Sequence, residues 1–245
     1  MSGHSKWATI KHKKAATDAK RGTLFTKLIK EITVAARSGG NPDTNPRLRV
    51  AIERGKEASM PADNIDRAVK KGTGELEGVS YEDITLEGYG PGGVAFYVEG
   101  VSDNKNRTTS EVRTIFTKKG GNMAGAGSVS WMFEKKGYIV ISKKTIDEDK
   151  LMGIVLDAGA EDMVVEEENY AVKTSPTDFY KVKKALEDNS IKIESVEITL
   201  LPKSTVRVVG EDAKKVLDLV SALEEHEDVQ NVYANFDIPD DLLKE

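Results

Sequence analysis

GYIVISKKTIDEDKLMGIVLDAGAEDMVVEEENYAVKTSPTDFYKVKKALEDNSIKIESVEITL, residues 137–200, is the stretch that decides the fold. Tyr138–Ile141 is an apolar run of strand length. Asp147–Ala158 follows with helical spacing, and Asp162–Glu166 and Tyr170–Thr174 read as a strand pair. Pro176–Asp188 is a second helix and Ile193–Leu200 a closing strand. The order β-α-β-β-α-β is the ferredoxin-like split arrangement.

On the C-terminal side, Thr205–Val209 reads as a strand and Glu211–Glu225 as a helix that turns Ala213, Val216, Leu217, Val220 and Leu223 inward. Val229–Phe236 reads as another strand. On the N-terminal side, Ile84 and Leu86 alternate, as do Val94, Phe96 and Val98, across the turn Gly88-Tyr89-Gly90-Pro91-Gly92-Gly93, a hairpin with a long loop. Asp103-Asn104 opens a helix with Val112, Ile115 and Phe116 buried, which ends at Gly120-Gly121. A glycine-spaced stretch, Gly120–Gly127, then leads into a short strand, Ser128–Phe133. The two flanks, 79–133 and 205–238, are expected to form one discontinuous α/β domain around the ferredoxin-like domain at 137–200.

Residues 23–72 are helical and clearly punctuated. Thr23 can cap a helix in which Leu24, Phe25, Leu28, Ile29, Ile32 and Ala36 recur, while Lys27, Lys30 and Arg37 fall off that face. Gly39-Gly40 ends it. Asn45-Pro46 is a cap with proline at the first helical position, opening Arg47 to about Ala58. Met60-Pro61 breaks that helix, and Asp63–Lys71 forms a third, stopped by Gly72. The expected fold class is α+β with three domains: an N-terminal three-helix domain within 1–75, then two α/β domains, one ferredoxin-like and one discontinuous.

The formal net charge is −5. It is unevenly divided. Residues 1–72 carry 16 basic residues against 7 acidic ones, and residues 73–245 carry 20 against 34. A head of +9 on a body of −14 points to an electrostatic partner for the head, and nucleic acid is the default polyanion. Residues 1–30 hold eight Lys/Arg against Asp18 alone, with Trp7, His12 and Phe25 interleaved. Over the first 20 residues the basic side chains are smeared around a helical wheel, and only Trp7 and Ile10 offer substantial apolar contact. Such a segment has little to bury and is expected to order on a partner. In that reading Lys6, Lys11, Lys13, Lys14, Lys20 and Arg21 neutralise phosphates while Trp7 stacks or packs. The competing reading is a solvated tail with Trp7 anchored in the helical domain.

The helix start Asp103–Ser110 is dense in capping side chains. With Lys105 and Arg107 beside its N-terminus it could bind an anion through backbone N–H groups, or be an ordinary cap. The glycine segment lacks the Lys-Ser/Thr ending of a phosphate loop and does not fit the dinucleotide fingerprint. Turn chemistry, or close approach to a partner, suits it better.

The sequence contains no cysteine. Thiolate catalysis, Cys-ligated zinc, iron–sulfur clusters and disulfides are therefore excluded. His4, His12 and His226 have no metal-ligand spacing, and the acidic runs at 147–149, 166–168 and 224–228 read as solvated carboxylates. No apolar run approaches the roughly 18 residues of a membrane span. The first residues lack the apolar core of a secretory signal; they have some transit-peptide character, but Arg21 is their one arginine where such presequences are Arg-rich. At 38% hydrophobic and 31% charged the chain is globular. No nucleophile elbow, paired acid and base, or Ser/His/Asp set can be argued, so no enzyme is expected.

Gly3-His4-Ser5-Lys6-Trp7, Ile10–Lys14 and Asp18-Ala19-Lys20-Arg21 resemble the opening blocks of the YebC/PmpR family, which includes the mitochondrial translational activator of cytochrome oxidase subunit I. The resemblance continues through Phe25–Leu28, Ala36–Gly40, Asn45–Arg49, Met60–Ile65 and Tyr89–Gly93. It extends to Asp103-Asn104 with Asn106-Arg107-Thr108, to Gly127-Ser128-Val129 and to Asp228–Tyr233. Met123–Ala126 departs from the family's glycine block.

The resemblance implies a helical N-terminal domain with two α/β domains, and a cytoplasmic bacterial protein. Family members are described as DNA-binding transcriptional regulators and as ribosome-associated factors that relieve stalling at proline-rich stretches. The expectation is therefore a non-enzymatic regulator of gene expression that binds nucleic acid: DNA, with ribosomal or transfer RNA as the alternative. Its expected contacts are Lys6, Trp7, Lys11, His12, Lys13, Lys14, Lys20, Arg21 and Lys27, with a secondary anion contact at Asn104, Lys105, Asn106, Arg107 and Thr108. No metal, cofactor, membrane or small-molecule substrate is expected. A protein-interaction adaptor, which would show no salt-sensitive binding of polyanions, is the rival from another class.

Overall fold

Ala19, Lys20 and Arg21 are strong helix formers, and they carry the first helix across Gly22, which costs only about 1 kcal/mol relative to alanine. The computed structural model describes residues 18–239, with side chains from 22 onward. Helix α1 spans Asp18–Ala36, so Thr23 lies inside it rather than capping it. Helix α2 runs Pro46–Glu57, and its cap is as expected: the Asn45 side chain accepts from Leu48 N–H, and proline opens the helix. Helix α3 runs Ala62–Thr73 and ends on Gly74 in the left-handed conformation.

Gly72, expected as the stop, is instead a contact. A Cβ there would lie 2.3 Å from Thr33 O and 2.6 Å from the Ala36 Cβ, so glycine lets α3 press against α1. Leu28, Ile32, Leu48, Ala51, Met60, Ile65 and Ala68 form the core of this bundle.

The described chain divides into two units, residues 18–130 with 209–234, and residues 131–208 with 235–239. The first holds the bundle together with a four-stranded sheet. Strands β1 (Glu82–Tyr89) and β2 (Ala95–Ser102) form the hairpin, in unbroken antiparallel register from Glu82 opposite Ser102 to Tyr89 opposite Ala95. Helix α4 is Lys105–Lys118 and β3 is Asn122–Ala124. Later in the chain come helix α7 (Gly210–Glu225) and β9 (Val229–Ala234), and the sheet order is β3-β1-β2-β9.

Phe96 and Phe116 meet edge to face at 5.8 Å in its core. Such a pair adds about 0.5–1.5 kcal/mol to the burial of its rings. On α7 the inward residues are Ala213, Val216, Leu219, Val220 and Leu223. Leu219, three after Val216 and four before Leu223, takes the place expected for Leu217, which is half-buried.

The expected strand Ser128–Phe133 does not form. The N–H groups of Gly127, Val129 and Ser130 point instead to the buried Glu87 carboxylate, at 2.7, 2.6 and 3.0 Å. Ser130–Met132 is a single tight turn, and Phe133 begins a longer strand.

That strand, β4 (Phe133–Ser142), starts the second unit. Helix α5 (Glu148–Asp157), β5 (Ala160–Val165), β6 (Asn169–Thr174), helix α6 (Phe179–Asp188) and β7 (Ile193–Pro202) complete β-α-β-β-α-β. The sheet order β5-β6-β4-β7 is the ferredoxin-like order, and Ile139, Ile141, Leu151, Val155, Val172, Val182 and Leu186 fill the space beneath the helices. Residues 205–209 do not join the four-stranded sheet of the first unit. Val206-Arg207 (β8) pairs in parallel with Phe236-Asp237 (β10), and the strand expected over Val229–Phe236 breaks at Asn235 between β9 and β10.

Candidate nucleic-acid interface

Gly100 gives the first unit its most heavily charged buried point. The β2/β9 pairing bulges between Glu99 and Gly100, where a Cβ would stand 2.5 Å from Asp228 O. The close approach sets Asp228, just ahead of β9, beneath both α1 and the start of α4. Its carboxylate is fully buried and satisfied on both oxygens. Lys30 Nζ, itself buried, lies 2.6 Å from Oδ1, while Arg107 Nη2 (3.0 Å) and the Thr108 hydroxyl donate to Oδ2.

Burial pushes the Asp228 carboxyl up, but the hydrogen bonds from Lys30, Thr108 and Arg107 outweigh it and bring its pKa down to about 2. His226 extends the cluster. Its Nδ1 accepts the Asp228 backbone N–H at 3.1 Å, so a neutral ring carries its proton on Nε2 and donates to Glu111 at 3.0 Å.

Around this point a polar seam runs between the bundle and the sheet. Arg47 is bidentate to Asp83 of β1 at 2.7 and 2.9 Å and Arg37 donates to Tyr81 O, while beside them Lys105 ties the start of α4 to Glu82 of β1 at 2.7 Å. Lys27 Nζ donates to Glu224 O at 2.6 Å, where a cation favours the exposed carbonyls and negative dipole end of α7.

The residues expected to touch nucleic acid fall into three groups. Lys6, Trp7, Lys11, His12, Lys13 and Lys14 lie outside the described residues. Lys20 and Arg21 occupy the first turns of α1, with side chains also outside the description. The third group is Lys27 and 104–108, at the seam. Asn104 Oδ1 caps α4 by accepting from Arg107 N–H at 3.1 Å, and Thr108 is buried between Ser102 and Asp228. Arg107 also meets Asp103 at 2.6 Å, yet its side chain stays 40% exposed. Asn106 is exposed. The cations here are largely neutralised by carboxylates of the same unit.

Sequence reasoning missed Asp228 and Lys30. Asp228 belonged to an acidic run read as solvated, and Lys30 to the polar side of α1, whereas both are buried against each other. The one available signal was the acid directly before an apolar strand, and nothing in a single sequence couples position 30 to position 228. Elsewhere on the bundle Arg49, Lys56, Arg67 and Lys71 are exposed and pair with no carboxylate among the described residues. Among the described residues there is no group of three or more His, Cys, Asp or Glu that could hold a metal ion, and no helix is long and apolar enough to cross a membrane.

Comparison with known proteins covers nearly all of the chain. Residues 5–75 match the model described as the TACO1/YebC protein N-terminal domain, and residues 81–236 match that of the TACO1/YebC second and third domain. A probable transcriptional regulatory protein of Dictyoglomus turgidum is 57% identical over 246 residues, spanning 100% of this chain and 99% of that one. Another, from Geobacter sulfurreducens, is 60% identical over 239 residues, spanning 97% and 96%. The crystal structure of a conserved hypothetical protein from Aquifex aeolicus is similar with a TM-score of 0.84 at 52% identity, covering 98% of this chain and 100% of that one.

Proposed function

Because the chain belongs to the TACO1/YebC family, we propose that it is a non-enzymatic regulator of gene expression that binds nucleic acid through its basic N-terminal head. The observation that carries this reading is the division of charge, +9 over residues 1–72 against −14 over the rest. The seam sharpens it. Lys27, Lys30, Arg37, Arg47, Lys105 and Arg107 are committed to the protein's own oxygens, so this reading assigns the contact to the sequence-expected Lys6, Lys11, Lys13, Lys14, Lys20 and Arg21, joined by Arg49, Lys56, Arg67 and Lys71, which are exposed on the bundle. Arg107 and Asn106 serve at most as an edge of that surface.

Duplex DNA and an action on transcription are the first version, supported by the names of the relatives. Ribosomal or transfer RNA and an action on translation are the second, favoured by the exposed aromatic ring of Tyr180 on α6. Crosslinking in cells followed by sequencing of the bound nucleic acid separates them. Enrichment of promoter DNA supports the first, and enrichment of ribosomal or transfer RNA the second. Recovery of neither returns the protein to the adaptor class.

A further inference from the structure

Helix α6 turns Phe179, Val182 and Leu186 into the core of the ferredoxin-like unit. Its outer side holds Tyr180, 63% exposed, in a body where acids outnumber bases 34 to 20. An exposed tyrosine alone is ordinary. What surrounds it is less so. Lys183 and Lys184 stand three and four residues on, which in a helix places them on either side of the ring, and Lys181 adjoins them. Lys183 reaches Glu187 at 3.6 Å, whereas Lys181 and Lys184 are exposed and pair with no carboxylate among the described residues.

Phe179 meets the ring edge to face, with centroids 5.2 Å apart and planes at 77°, so one side of Tyr180 rests on the core while most of it faces solvent. One exposed aromatic surface flanked by Lys181 and Lys184 combines the two elements that single-stranded nucleic-acid sites use: a platform for a base and cations for the neighbouring phosphates.

We propose that the outer face of α6, through Tyr180, Lys181 and Lys184, is a second nucleic-acid contact that takes an unpaired base of an RNA loop by stacking. Duplex DNA keeps its bases stacked on one another and offers none to the ring, whereas loops and bulges with splayed bases are the regular targets of RNA recognition. This contact rests on the reading of the protein as a nucleic-acid binder and adds a site outside the basic head.

The test is fluorescence anisotropy with the full-length protein and three labelled probes of one sequence: a uridine-rich single-stranded RNA of 12 nucleotides, its RNA duplex and its DNA counterpart. Tyr180→Ala should weaken binding of the single-stranded RNA by roughly 5- to 100-fold, with duplex binding unchanged. Tyr180→Phe should stay within about twofold, since stacking needs no hydroxyl. The Lys181→Ala/Lys184→Ala variant should lower the slope of log K against log salt by about 1.4 on the single strand.

Unchanged RNA binding by Tyr180→Ala, beside a clear loss in Lys13→Ala/Lys14→Ala, overturns the α6 contact and leaves the head's role standing. An equal loss on duplex and single strand, or a loss on the DNA strand alone, overturns it also. If the unsubstituted protein binds none of the probes in a salt-dependent way, the nucleic-acid reading falls and this contact with it.

Discussion

Asp228 keeps its charge at a fully buried position, where isolation would neutralise it, because three donors converge on two oxygens. The consequence for pH has a definite sign. In the unfolded chain this carboxyl titrates at its ordinary 3.8, and in the fold at about 2. The group therefore contributes stability that is full above about pH 4 and lost as pH falls through about 2; the displacement corresponds to about 2 kcal/mol. Asp228→Asn also strands the Lys30 ammonium in the interior, and breaking a buried pair costs about 3–5 kcal/mol. Urea denaturation should show that loss at pH 6, and a gap between variant and parent that narrows from pH 4 to pH 2. A gap constant across that range would show that Asp228 is not the titrating group. Glu87 works by related means: burial raises its pKa, but the backbone N–H groups of Val129, Gly127 and Ser130 together lower it by more, and the net direction is down. It gives the glycine segment a structural duty, folding that loop onto β1, that composition could not reveal.

At the scale of elements, the glycines that matter are those with a neighbour where a side chain would be. Gly72 sits in the last turn of α3 with Thr33 O of α1 in the way of any Cβ. Gly72→Ala improves helix propensity by about 1 kcal/mol but forces the helices apart, and overpacking of this kind costs about 1–3 kcal/mol. A net fall in thermal stability is expected by calorimetry, and a rise would mean that the α1/α3 contact is looser than its geometry. By contrast Arg47–Asp83, with both partners half-exposed, belongs to the class of surface ion pairs worth about 0–1 kcal/mol. Most elements were legible because each announces itself locally: the Asn45-Pro46 cap, the hairpin turn at 88–93, the alternation through the ferredoxin-like stretch. Three of those misread were decided by distant partners. Gly72 looked like a stop because α1 was not in view, Ser128–Phe133 looked like a strand because Glu87 was not, and Val206-Arg207 pairs with Phe236-Asp237, which a single sequence does not couple to it. The candidate interface was legible as charge but not as geometry, since sequence counts Lys27, Lys30 and Arg107 as available cations, whereas the fold commits Lys27 to the end of α7 and Lys30 and Arg107 to Asp228.

For the molecule as a whole, the question is whether total charge or its placement governs binding. A net charge of −5 should repel a polyanion, and it does so least where the basic residues are concentrated in the head. If individual lysines replace counterions on phosphates, each contributes about 0.9 to the salt slope on duplex DNA and about 0.7 on a single strand. Lys13→Ala/Lys14→Ala should then lower the slope by roughly 1.5–2. Lys150→Ala/Lys192→Ala removes the same two charges from exposed, unpaired positions in the acidic body, among the described residues, and should leave the slope within about 0.3, as expected for lysines that touch no phosphate. Salt titrations of the two double variants against one probe decide the matter. Equal reductions would mean that net charge alone sets the affinity and that the head holds no discrete contact; a reduction confined to the head pair places the phosphates there.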